Sequence, residues 1–158
     1  MIALRTGLIA IASLLALAGA SGDAQAAGDK IYASRCSMCH QPTGAGLPGQ
    51  FPRLKGRVGA IAATKPGRAY LANVLLFGMF GGIDVDGKHI GGMMPPMGSL
   101  ADQDIADTLN FVAAMEKPKK PVAPFTAAEI KAARAGGPLT ASAVGKIRAD
   151  LVSKGVIP

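Results

Sequence analysis

The sequence predicts an all-α fold, a few helices joined by long irregular loops and one small β-hairpin. Three observations predict it. Apolar residues recur at helical spacing in two stretches, at Leu71, Val74 and Leu75, and at Ile105, Leu109 and Val112 with Thr108 on the same stripe. Residues 41–67 hold ten Gly or Pro in 27 positions, too many for a regular element across that span. Only two Cys occur in 158 residues, both in one cluster, so no disulfide scaffold substitutes for a core. Irregular loops this long in a small domain need a large body to pack against.

The elements follow in order. Arg5 precedes an apolar run from Leu8 to Ala20, and Ala24-Gln25-Ala26 fits a small-x-small cleavage site. This is the pattern of a secretory signal over residues 1–26. The run is short for a permanent membrane anchor, and nothing after it approaches a span. Cleavage removes Arg5 and Asp23 together, so the net charge of +7 is unchanged. Mean hydropathy of +0.31 comes largely from this segment.

A helix begins near Gly28-Asp29, with Asp29 favouring its N-terminus, and runs toward Cys36–His40. A second helix is expected over Arg68–Met79, with Phe77 also facing inward and Gly78, Gly81 and Gly82 ending it. Asp86-Gly87 at the centre of residues 83–90 marks a hairpin, followed by a Gly/Met/Pro loop at 91–98. Ser99 and Asp102 announce the helix that carries Ile105 to Val112. Lys117-Pro118-Lys119-Lys120-Pro121 ends it. Thr126-x-x-Glu129 caps a short helix to about Ala135, and Thr140 caps a last one to about Ser153.

Both cysteines lie in Cys36-Ser37-Met38-Cys39-His40. Three chemistries compete for that spacing. A dithiol redox pair normally sits at a strand–helix junction, and no strand-like run precedes Cys36. A structural zinc site needs four ligands, and only His89 remains beyond Cys36, Cys39 and His40. The third is covalent haem attachment: two thiols three residues apart match two vinyl groups on one porphyrin edge, and the adjacent His40 lies under the iron. Secretion favours the third, since haem is attached covalently outside the cytoplasm.

At this point the chain resembles the monohaem cytochrome c family. The resemblance covers residues 28–116: Gly28-x-x-x-Tyr32 before the haem motif, Pro52-x-Leu54-x-Gly56 after it, a Met-Pro loop, and a final helix with Phe111. It is nearest in look to the cytochrome subunits of quinone-cofactor alcohol and aldehyde dehydrogenases, which carry a glycine-rich hairpin before Met-Pro-x-Met and then Leu-x-Asp-x-x-Ile-Ala. The resemblance implies a cytochrome c fold of three to five helices around one covalent haem c with iron. With the signal pattern, the Pro/Lys run and the capped C-terminal helices, the expected organisation is signal 1–26, haem domain 27–116, Pro/Lys linker 117–124 and helical extension 125–158.

It also implies roles for residues. Cys36 and Cys39 hold the haem and His40 binds iron. Met94, directly before Pro95, takes the family's Met ligand position, with Met93, Met97 and His89 as the other candidates. A thioether favours the ferrous state relative to a second His, so this choice sets the potential. Pro52 offers its carbonyl to the second nitrogen of His40, and Leu54 packs on the haem face. Arg53, Lys55 and Arg57 are candidates for the propionates. Tyr32 and Phe111 meet where the first and last helices of the haem domain cross. A Met cluster can also be plain core filling or a Cu(I) site, but copper leaves the Cys-His motif unexplained.

The expected function is a periplasmic, non-enzymatic carrier of single electrons between redox proteins, such as a periplasmic dehydrogenase and a terminal oxidase or another cytochrome. Two alternatives stand beside it: a tightly bound subunit of a quinone-cofactor dehydrogenase, and a haem enzyme or sensor with an open sixth position. The positive charge points to acidic partners, and two propionates reduce it to about +5. Nucleic acid is disfavoured, because the basic residues are scattered with no aromatic platform among them.

Overall fold

The structure, a computed structural model, describes residues 26–158. All of the expected signal segment except Ala26 therefore lies outside the described residues. Among these there are seven helices and four very short strands, and none of the helices is long and apolar enough to cross a membrane.

Helix α1 covers residues 26–35, and α2 is a single turn at Ser37–His40. Helix α1 crosses α5 (Asp102–Ala114) at Gly28. A Cβ on Gly28 would stand 2.3 Å from the Asp107 carbonyl oxygen, so the crossing needs a residue without one. One turn further on, the Tyr32 ring lies 5.5 Å from that of Phe111, tilted by 50°, the meeting the sequence predicts.

Helix α3 (Arg57–Ala62) falls inside the stretch expected to be irregular. The Gly and Pro of 41–67 crowd around it, but Arg57–Ala62 itself contains only Gly59. Helix α4 spans Lys65–Phe77, starting three residues before the expected Arg68. The Thr64 hydroxyl accepts from the Gly67 N–H and Pro66 occupies the first turn, where its missing N–H costs nothing.

Strands β2 (Ile83–Val85) and β3 (Lys88–Ile90) form the predicted hairpin, with positive φ at Asp86 and Gly87. Beyond it, β1 (Met79–Phe80) pairs with β4 (Met93–Met94), Met79 opposite Met94 and Phe80 opposite Met93. This second ladder lies partly in the expected Met loop. Helix α5 begins at Asp102 with extended Ala101 as its N-cap, so Ser99 is not the cap.

Helices α6 (Ala127–Ala135) and α7 (Ala141–Ser153) open as expected: the Thr126 hydroxyl accepts from the Glu129 N–H, and that of Thr140 from Ala143. Helix α6 packs on α4 and α5, and α7 on α4 and β1. Phe125, Ile130, Val144, Leu151 and Ile157 join the same buried cluster as Tyr32, Leu76 and Leu109. The link into these helices is tied down by polar contacts. The Asn110 side-chain amide pairs with Phe125 like a strand neighbour, donating to its carbonyl at 3.0 Å and accepting from its N–H at 2.6 Å. Arg68 forms a two-bond ion pair with Glu129, 2.7 Å for each bond, and its guanidinium lies 4.0 Å from the Phe125 ring centroid.

Candidate functional site

A deep cleft opens between α1–α2, α3, α4, the strand region and α7. Cys36, Cys39, His40, Pro52, Leu54 and Met94 all line it, so residues spread over nearly sixty positions converge on one space. Its walls are otherwise mostly apolar, including Val58, Ile61, Leu71, Val74, Ile83 and Ile90.

The Cys-His segment is positioned by backbone. The end of α1 hands over to α2 through Cys36, whose carbonyl accepts from the N–H groups of Cys39 and His40. The Tyr32 hydroxyl donates to the Gln41 carbonyl at 2.6 Å and so fixes the exit of the motif. Burial, and secondarily Cys36, pushes the Tyr32 phenol up to about 12, so it stays protonated and donating. Both thiols are free and half-buried, and burial raises the Cys36 thiol, with Cys39 adding to the effect.

His40 is buried, and its Nδ1 lies 2.9 Å from the Pro52 carbonyl oxygen. Pro52 offers only an acceptor here, so Nδ1 carries the proton and donates, which leaves Nε2 with its lone pair. Burial lowers the His40 pKa, only partly countered by the Pro52 hydrogen bond, so the ring is held neutral. A neutral imidazole with one nitrogen committed is the form that binds a metal.

The Met segment is sorted by its ladder. Directly opposed residues on paired strands share a face, and neighbours along a strand point to opposite faces. Met94 therefore shares the face of buried Met79, and Met93 that of exposed Phe80. Met93 is 65% exposed, whereas Met94 is half-buried. Met97 also reaches the cleft, its N–H donating to the Leu75 carbonyl at 2.7 Å. His89 does not line the cleft: it is exposed on the hairpin and bonded to Asp84 at 3.0 Å.

Of the three cationic candidates, the cleft receives two. Arg57 lines it. Arg53 lines it too, but its guanidinium is committed to Asp86 through bonds of 2.8 and 2.9 Å. Lys55 is exposed and outside the lining. Arg148, Tyr70 and Met79 also line the cleft and were not singled out in the sequence. Arg148, from α7, is 5% exposed and lines the cleft with Arg57 and Tyr70. Burial and the nearby Arg148 both pull the Arg57 pKa down, a sign of two cations sharing one desolvated corner. Both guanidinium groups donate to the Pro158 oxygen, Arg57 at 2.9 Å and Arg148 at 3.4 Å, and a paired cationic corner of this kind suits an anionic group. The signal was available: Arg148 stands on the apolar stripe Val144, Leu151 of α7, where a solvated Arg has no place. Met79 is the third, a thioether that accepts from the Tyr70 hydroxyl at 3.1 Å.

A helical fold around one apolar cleft, with two free thiols, a neutral imidazole and thioethers on its walls, defines a protein built around a covalently held metal macrocycle. The comparisons agree. Residues 25–116 match the family model "Cytochrome c". The chain is 46% identical over 122 residues to a cytochrome c-552 of Thermus thermophilus, covering 75% of this chain and 82% of that one. It is 30% identical over 99 residues to the cytochrome c subunit of a quinone alcohol dehydrogenase from Gluconobacter oxydans, covering 54% of this chain but 17% of that protein. The chain belongs to the cytochrome c family, a family of electron carriers, and its cofactor is covalent haem c with iron. The cleft fits that group: free thiols in the right pair, an imidazole with its second nitrogen engaged, apolar walls, and a cationic corner for carboxylates.

Proposed function

We propose that the mature chain is a periplasmic carrier of single electrons between redox proteins, with haem attached at Cys36 and Cys39 and iron bound by His40 and Met94. The observation that carries this reading is the convergence of the His40–Pro52 pair and the inward-facing Met94 on one cleft that also holds both thiols. When bound, the haem iron supplies a one-electron Fe(III)/Fe(II) couple. The protein's own residues do the rest. Pro52 holds the His40 tautomer, Leu54 and the aliphatic walls keep water away, and Arg57 and Arg148 would hold the propionates. No side chain is assigned as a catalytic acid or base. The signal segment 1–26 supports export, the haem domain is placed at 27–116, and 125–158 is its helical extension, reached through 117–124.

Partner docking is placed at the cleft mouth. Met38, between the two thiols, is 87% exposed, Phe51 and Met93 line the cleft, and Leu47 and Phe80 are their exposed strand-paired neighbours. Exposed apolar groups gathered this way mark an interaction surface. The net positive charge of the chain steers acidic redox partners at longer range. Similarity to a quinone dehydrogenase's cytochrome subunit supports a second reading, a stable complex with a dehydrogenase, which co-purification from periplasm decides.

The deciding experiment is the ferric spectrum. Thioether ligation gives a weak charge-transfer band at the red edge, which Met94→Ala removes while haem attachment persists. A band that survives in Met94→Ala shifts the assignment to another methionine of the cleft. A wild-type protein without the band rejects Met ligation.

A further inference from the structure

Arg134, on α6, reaches across to the segment that follows Met94. Its Nε donates to Asp102 Oδ1 at 2.9 Å, one terminal nitrogen to the Gly98 carbonyl at 2.8 Å, and the other to the Leu100 carbonyl at 3.1 Å. A planar guanidinium with several donors suits such a three-way clamp, and a lysine does not. The same segment is held from α4: the Met97 N–H donates to the Leu75 carbonyl at 2.7 Å, and Gly98 lies so close that a Cβ would stand 2.6 Å from the Leu76 carbonyl oxygen. Between the first anchored residue, Met97, and Met94 stand only Pro95 and Pro96. Each proline has a locked φ and no N–H, so few soft torsions separate Met94 from the anchored residues. At its other end Met94 is paired with Met79. The thioether is therefore carried on a short stiff bridge, one abutment of which belongs to the C-terminal helices.

We propose that Arg134 is a positioning residue for the Met94 thioether, through which helix α6 sets how firmly the sixth coordination position is kept closed. This rests on the reading of Met94 as the iron ligand. An added ligand can enter only when the Met94 segment moves away, so its apparent affinity reports the fraction of open molecules. Loss of the Arg134 clamp raises that fraction.

The test uses the ferric holoprotein, titrated with imidazole at a temperature well below unfolding, with loss of the thioether band as the readout. Arg134→Ala is expected to bind imidazole about tenfold more tightly than wild type, and Arg134→Lys, which keeps the charge and can reach one acceptor, about threefold. Arg68→Ala is the control, because Arg68 also anchors α6 yet its bonds go to Glu129, Ala123 and Pro124, not to residues 98–102. It is expected to leave imidazole affinity unchanged. An unchanged affinity in Arg134→Ala, or an equal shift in Arg68→Ala, overturns the proposal while leaving Met94 as ligand. A wild-type protein with no thioether band overturns both readings. If Arg134→Ala does not fold, Arg134→Lys decides alone: wild-type affinity there rejects the clamp.

Discussion

The Cys36–His40 segment and the Met93–Met97 segment face the same cleft but are fixed in contrasting ways. The first is organised by local backbone. Its hydrogen bonds run within α1 and α2, from Tyr32 to Gln41, and from His40 to Pro52. The second borrows its order from distant chain: β1 for its register, the carbonyl of Leu75 for its exit, and α6 for the clamp on Gly98 and Leu100. A locally built site keeps its geometry as long as its own helix stays docked. A site built from distant parts depends on everything that holds those parts.

The strongest way to break the first side is thus to undock α1. Gly28→Ala places a methyl group 2.3 Å from the Asp107 carbonyl oxygen and 2.9 Å from the Phe111 Cβ, both on the neighbouring helix. Backbone cannot rotate aside, so the helices must separate, which is expected to cost about 3 kcal/mol, the upper end of the usual overpacking range. Against a typical margin of about 5–15 kcal/mol this is a large loss. A guanidinium melt of the holoprotein followed by far-ultraviolet circular dichroism measures it. A midpoint equal to wild type would show that the crossing has slack.

The docking of the C-terminal helices is broken more gently at Arg68, whose bonds do not reach the Met93–Met97 segment. Arg68→Ala removes the ion pair with Glu129, the contact with the Phe125 ring and the bonds to the Ala123 and Pro124 carbonyls. The expected cost at neutral pH is about 2 kcal/mol, since the pair is partly shielded from water. The pH dependence has a definite sign. The Arg68 guanidinium holds the Glu129 carboxyl below the ordinary carboxylate range in the folded protein. A depressed folded pKa stabilises fully above the unfolded pKa, near ~4.3, and the effect is lost as pH falls through the folded value. The gap between wild type and Arg68→Ala should therefore shrink below about pH 4, leaving the ring and carbonyl contacts. Melts at pH 7 and pH 3 check this, and a gap of constant size would assign the whole effect to those remaining contacts.

The contrast also explains what the sequence could reveal. Cys36, Cys39 and His40 are legible because a local site writes its spacing directly into the chain, and Thr126 and Thr140 because caps are local too. The hairpin turn at Asp86-Gly87 is legible for the same reason. Helix α3 was hidden by counting Gly and Pro over a window much longer than the helix. The β1–β4 ladder was invisible because pairing of two-residue strands is decided by tertiary contacts, with almost no pattern of its own. Arg148 is betrayed only by its place on the apolar stripe of α7, and Arg134 by nothing local, since its acceptors lie in other elements. The half of the cleft that depends on distant parts is the half that residue spacing describes least.

The smallest effect sharpens the comparison from the local side. Pro52 contributes its carbonyl oxygen to His40, and every amino acid has that oxygen. Pro52→Ala keeps the acceptor and loses only the restriction on φ, whose release costs about 0.4–1 kcal/mol through the unfolded chain. The midpoint of unfolding should fall slightly. With His40 as the proposed iron ligand, the reduction potential should stay at the wild-type value, because the His40 tautomer is unchanged. If the potential moves while the melt does not, the proline ring itself tunes the imidazole, by excluding water from the bond or fixing its angle. The Cys-His side would then depend on a side chain as well as on backbone, and its difference from the Met side would narrow to the distance over which each draws its support.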